Sequence, residues 1–207
     1  MMMKRWIYFF VAIPFLFQAC KKGDYKSFTD SPALFRVTEK KLNDVVLENN
    51  FPPVIASRNY AYANIAAYEV IAAGDPKHFR SMAGQIKHLP AAPKPGDKNI
   101  DFPFAAILAF CTVGNAVTFP EGSMMGYVEE LKAKADSAGM PDEVMKSTQA
   151  YADTVSKHIL KWSKGDHYAQ TRSASKYTVR SDVDGRWIPT PPMYAQALEP
   201  HWQEIRP

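Results

Sequence analysis

The sequence predicts an all-α fold: a helical bundle followed by a long loop rich in proline and aromatic residues. Three observations carry this. Apolar residues recur at helical spacing, most clearly at Val144, Thr148, Tyr151, Val155, Ile159 and Trp162, which form one stripe on one helix face. No window alternates at period two as a half-buried strand would. Punctuation falls where helices start and stop, at Pro52-Pro53, Gly74, Gly139 and Pro141. The chain has 207 residues, 46% apolar and 22% charged, which suits one globular domain. Two cysteines exclude a disulfide framework or a Cys-rich zinc module. A net charge of +4 without a basic block gives no footprint for nucleic acid.

The first twenty residues read MMMKRWIYFFVAIPFLFQAC. Lys4 and Arg5 precede an apolar run from Trp6 to Phe17. That run is too short for a bilayer-spanning helix of about 20 residues and suits the apolar region of a signal peptide. Ala19-Cys20 at its end resembles a bacterial lipoprotein signal. The resemblance implies cleavage of residues 1–19 and acylation of Cys20. The product would be an exported lipoprotein, periplasmic or on the cell surface, held on a membrane by its acyl chains. Phe17 and Gln18 depart from the usual pattern, and an ordinary cleaved signal with an incidental Cys is the alternative. Residues 20–30 are polar and read as a tether.

Beyond the tether, residues 31–165 read as the bundle. Leu34, Val37, Leu42, Val45 and Val46 form one face of a helix over 31–49. A second helix over 53–73 is rich in alanine, which lets a neighbour approach closely, and stops at Gly74. A shorter helix is expected over 77–88 and a Pro/Gly/Lys loop over 89–100. The span from Phe102 to Pro120 carries no charge. Pro103, Gly114, Asn115 and two threonines make it only moderately apolar, and no basic flank anchors it. It therefore reads as a buried central helix, not a membrane span. Residues 121–137 suit an amphipathic helix with Met125, Val128 and Leu131 inside, and 141–163 suit the striped helix described above. After Gly165 aliphatics thin out, while tyrosines, tryptophans and prolines keep 166–207 extended. Cys111, in an apolar stretch, reads as a small buried hydrophobe.

Three segments of the C-terminal quarter carry a resemblance. They are W-S-x-x-D at Trp162–Asp166, G-x-W-x-P-T-P-P at Gly185–Pro192, and A-L-x-P-H-W-x-x-I-R-P at Ala197–Pro207. With Arg58-Asn59-Tyr60-Ala61 and Ile65-Ala66-Ala67-Tyr68-Glu69, they resemble the vanadium-dependent haloperoxidase and type 2 phosphatidic acid phosphatase superfamily, in its branch of exported bacterial proteins. The resemblance implies a helical bundle and a phosphate-sized anion site. Members hydrolyse phosphate esters through a phosphohistidine or hold vanadate in the same pocket to oxidise halides with peroxide. The family's site motifs are Lys followed seven residues later by Arg-Pro, then Pro-Ser-Gly-His, then Ser-Arg with a spaced His. None is present, and Glu199 stands where the Lys would precede Arg206-Pro207. No catalytic residue and no metal ligand is therefore carried over, and no cofactor is assigned to this chain, vanadate being that of the full-length family. The expectation is the N-terminal, catalytically incomplete part of such a protein, its partner being the missing C-terminal half. No oligomeric state can be read.

Among individual residues, Trp187, His201 and Trp202 are candidates for the mouth of the site. His78 and His88 read as solvated, and His158 with Trp162 as a stacked pair on a helix flank. Asp166-His167 are adjacent and so poorly placed to act as a base pair. Arg180, Arg186 and Arg206 are candidate oxyanion partners or loop braces. The alternative function is a surface binding module, for a glycan or other ligand, with Trp187, Trp202 and Tyr194 as stacking platforms. A third reading is a fragment with no independent fold, which would expose its apolar stripes and aggregate.

Overall fold

The computed structural model describes residues 23–206; the signal expected over 1–19 and the acylation expected at Cys20 lie outside the described residues. Within them the chain is all-α, with seven helices. These are α1 (Tyr25–Thr29), α2 (Pro32–Glu48), α3 (Pro53–Gly74), α4 (Phe102–Val117), α5 (Met125–Ser137), α6 (Asp142–Ser163) and α7 (Tyr168–Ser173). Two 3-10 turns follow α6 and close the described chain, at Lys164–Asp166 and Trp202–Glu204.

Helix α4 is the axis of the bundle. Every residue from Phe104 to Cys111 is buried, so this part of the helix has no solvent face, and α2, α3, α5 and α6 pack around it. This is the position that an uncharged helix, apolar all round, can occupy in water. Among the described residues no helix is long and apolar enough to cross a membrane. Against α4, helix α3 presents Ala63, Ala66, Ala67 and Val70, whose small side chains allow the close approach. Helix α6 buries the expected stripe of Thr148, Tyr151, Val155, Ile159 and Trp162. Helix α2 inserts Leu42, fully buried, against Gly114 of α4. Each fully buried Leu, Val or Ile among these contributes on the order of 1.5–3 kcal/mol through removal from water, and each alanine less.

Asp101 fixes the start of α4. One carboxylate oxygen accepts from the Phe104 amide at 2.9 Å and caps the helix. The other accepts from Thr29 Oγ1 at 2.9 Å and lies 3.0 Å from Lys26 Nζ. The Asp101 amide donates to Thr148 Oγ1 on α6. Asp101 thus joins α1 and α4 through its carboxylate and α6 through its amide.

Four expectations need correction. Residues 23–30 are not a free tether: α1 packs Tyr25 and Phe28 on the core and buries Thr29. The Asp101 bonds explain why a polar segment docks there. Residues 77–88 form turns, not a helix. Buried Glu69 accepts from Ser81 Oγ and the Met82 amide, both at 2.7 Å, and Gly84 and His88 adopt positive φ. The apolar spacing of Met82, Ile86 and Leu89 is real, but it folds a loop onto the core. Helix α5 starts at Met125, after a turn, so Met124 is the buried residue and Met125 is exposed. Finally, 166–206 is not wholly extended, since it contains α7 and the turn at Trp202–Glu204.

Gly74 closes α3 against the first residue of α4. A Cβ there would sit 2.4 Å from Phe102 Cγ. Gly74→Ala is expected to cost about 1–3 kcal/mol by overpacking, read as a lower urea midpoint. An unchanged midpoint would mean that the Phe102 ring moves aside freely.

Candidate functional site

The most elaborate polar arrangement lies where α6 ends. The 3-10 turn Lys164–Asp166 breaks the helix, and His167 at φ 73° redirects the chain into α7. Asp166 is left inside, 1% exposed. One of its carboxylate oxygens accepts from Arg58 Nε and from Tyr62 Oη, each at 2.6 Å. Its other oxygen accepts from the Tyr168 amide at 2.8 Å. Arg58 and Tyr62 are four residues apart on α3 and so share a face. The Asp166 carbonyl accepts from the Arg206 amide at 3.0 Å, which pins the end of the described chain to the same point.

Aromatic rings surround this node. The Arg58 guanidinium lies 4.2 Å from the centre of the Tyr168 ring and 4.9 Å from that of Tyr62. The Arg206 guanidinium lies 4.2 Å from the Trp162 ring and donates to the Trp162 carbonyl at 3.1 Å. Tyr62 meets Trp162 edge to face at 5.3 Å. Such stacking favours arginine over lysine at both positions. Burial pushes the Asp166 carboxyl up, but the hydrogen bonds from Arg58, Tyr62 and the Tyr168 amide outweigh it and hold the group below its ordinary range. Burial, with the hydrogen bond and charge of Asp166, pushes Tyr62 up to about 12 despite Arg58 and Arg206.

Two clefts flank the node. The larger, about 760 Å³, lies between the loop 174–201 and the bundle end at Phe51 and Phe119. Trp187 and His201 both line it, with Tyr194. Trp187 meets Tyr177 edge to face at 5.6 Å. His201 ties the loop down, with Nδ1 2.7 Å from Glu204 Oε1 and Nε2 2.8 Å from the Ser175 carbonyl. The hydrogen bond to Glu204 and that to Ser175 raise its pKa. Arg172 pairs with Glu199 in the same cleft. The smaller cleft, about 450 Å³, is lined by Arg58, Tyr62, Trp162, Trp202, Ile205 and Arg206. Of the three candidate mouth residues, the structure thus places Trp187 and His201 together and Trp202 elsewhere. Trp187, Tyr194 and Trp202 likewise do not form one stacking surface.

The remaining candidates are structural or exposed. His158 Nε2 lies 3.1 Å from the Pro90 carbonyl, and Trp162 Nε1 donates to the Lys87 carbonyl at 3.3 Å. The pair expected to stack thus reaches out to brace the 87–90 loop. His78 faces Asp75 at the surface, and His88 and His167 are exposed. With Asp166 turned inward, the Asp166-His167 neighbours do not face each other. Arg180 pairs with Asp182 on the surface. Burial pushes the Cys111 thiol up to about 12, as suits an inert core residue. Among the described residues no group of three His, Cys, Asp or Glu could hold a metal ion. Reading the sequence missed the Arg58–Tyr62–Asp166 node. The i,i+4 spacing of Arg58 and Tyr62 was visible, but their partner stands more than a hundred residues away.

No family model and no curated protein matches the chain. A search of solved structures finds a bacterial vanadium-dependent iodoperoxidase, similar with a TM-score of 0.77 and 36% sequence identity. The match covers 84% of this chain and 41% of that one, so the chain spans less than half the length of the relative it matches.

The node sets an acid limit on stability. A carboxyl held below its ordinary value of 3.8 contributes stability that is complete above that value and is lost as pH falls through the lowered one. Asp166→Ala is expected to cost about 2–4 kcal/mol at pH 7, less than for a fully buried pair because Arg58 keeps some contact with water. Urea titrations at neutral and acid pH check both points. The variant should lose less stability than the wild type on acidification below about pH 4, and parallel losses would contradict the assignment.

Proposed function

We propose, given that the chain belongs to the vanadium-dependent haloperoxidase and type 2 phosphatidic acid phosphatase superfamily, that these residues are the N-terminal scaffold of a membrane-anchored enzyme of that superfamily. The whole protein would hydrolyse phosphate esters, or would hold vanadate and oxidise halides with peroxide as the oxidant. The observation that carries this reading is the likeness to the iodoperoxidase over most of this chain and less than half of that one.

Vanadate or phosphate needs preorganised cationic donors and an imidazole with a free nitrogen. The larger cleft comes nearest, with Arg172, Lys176 and His201 on its walls. Arg172 is already paired with Glu199, however, and both ring nitrogens of His201 are engaged. A carboxylate among donors already in use repels an oxyanion. These residues do not fit the group, and no step through it is assigned to them. In the proposal the anion cradle is supplied by polypeptide other than this stretch, which contributes the core around α4 and the loop beside it.

Export and anchoring belong to the same proposal. Their support is the basic pair Lys4-Arg5, the apolar run after it and Ala19-Cys20, which together suit a cleaved, acylated leader. The binding-module alternative has less support, because Trp202 lines a different cleft from Trp187 and Tyr194.

The test is an assay of purified residues 20–207 for vanadate-dependent iodide oxidation and for phosphate-ester hydrolysis. Neither should exceed the buffer rate. Sustained turnover that disappears in His201→Ala would show that this stretch holds a working site and would overturn the proposal.

A further inference from the structure

We propose that the smaller cleft is a binding site for an aryl carboxylate, its anionic end held by Arg58 and Arg206 and its ring lodged against Trp202. The inference uses only residues of this chain and stands apart from the superfamily's oxyanion chemistry.

The volume of about 450 Å³ is that of a small-ligand pocket. Its walls are apolar or aromatic at Ala61, Tyr62, Ile65, Ile86, Trp202 and Ile205. Its charged groups are both guanidinium. Arg58 spends Nε on Asp166, and Arg206 spends Nη2 on the Trp162 carbonyl. Among the described residues the other N–H groups of these two side chains have no hydrogen-bond partner. Stacking on Tyr168 and on Trp162 holds the two guanidinium planes in place before any ligand arrives. Preorganised forks of this kind match a carboxylate.

Charge selects the ligand further. Among the described residues Asp166 is the one carboxylate at the node, and both of its oxygens are turned to Arg58, Tyr62 and the Tyr168 amide. Two guanidinium groups against one carboxylate leave a single positive charge, which a monoanion neutralises and a phosphate dianion does not need. The apolar walls give a bare inorganic anion nothing to bury and give an aromatic ring much. A neutral aromatic would leave that one positive charge unanswered.

The experiment titrates benzoate into the full chain by ligand-observed NMR, with benzyl alcohol and inorganic phosphate as comparison arms. Benzoate should saturate at about 1 mM or below, with both comparison ligands at least about tenfold weaker. Arg206→Gln and Trp202→Leu should each weaken benzoate about tenfold, while Trp187→Phe, in the other cleft, should not. Circular dichroism identifies a variant that fails to fold, and the other variant then carries the test. The proposal is overturned by no saturation up to about 10 mM. It is also overturned by equal binding of benzyl alcohol or phosphate, or by a folded Arg206→Gln that binds benzoate unchanged.

Discussion

The Asp166 carboxylate is buried beneath Arg58 and Tyr62, and much of the C-terminal architecture follows from keeping it ionised there. A lone carboxylate in that place would be unaffordable, so its partners must be delivered together. Helix α3 supplies Arg58 and Tyr62 from one face, the turn after α6 supplies the Tyr168 amide, and the Arg206 amide closes on the Asp166 carbonyl. Segments far apart in sequence can meet this demand only in one relative arrangement. The node therefore fixes where α7 starts, where the chain returns to the bundle, and how the two clefts are divided.

A second carboxylate acts at the far end of α6. Thr148 accepts from the Asp101 amide there, roughly 25 Å along the helix from Asp166 by the rise of 1.5 Å per residue. Asp101 caps α4 and draws in α1 through Thr29 and Lys26. Between these two polar anchors the packing is almost wholly apolar, with α4 as its axis. Burial of α4 supplies most of the driving force, and the two carboxylates specify which ends meet. This division is common where a nondirectional hydrophobic core needs register.

The parts of this fold that were legible in the sequence are those set by local periodicity. Helix α6 was visible because its apolar stripe repeats over most of its 22 residues, and α4 because an uncharged run of its length has few other places to go. Residues 77–88 misled for a physical reason. Met82, Ile86 and Leu89 have helical spacing, but Glu69 competes for Ser81 and the Met82 amide and turns the segment into a loop. The polarity of residues 23–30 likewise concealed α1, whose docking depends on Asp101 more than seventy residues on. The candidate site was the least legible. The motif around Asp166 drew notice through a family resemblance, yet nothing local indicates that Arg58 is its partner. His201 and Trp202 are neighbours in sequence and face different clefts.

The frame has two parts: a core organised on α4, and a terminal segment clamped to it by one ion pair and its aromatic surround. The most direct measurement is hydrogen exchange by mass spectrometry on the wild type and Arg58→Met. If Asp166 pairing holds the terminal segment in place, peptides covering 162–173 and 202–206 lose protection in the variant while those of α4 keep theirs. Equal protection of the terminal peptides in both proteins would contradict the account, because the segment would then be held by packing alone.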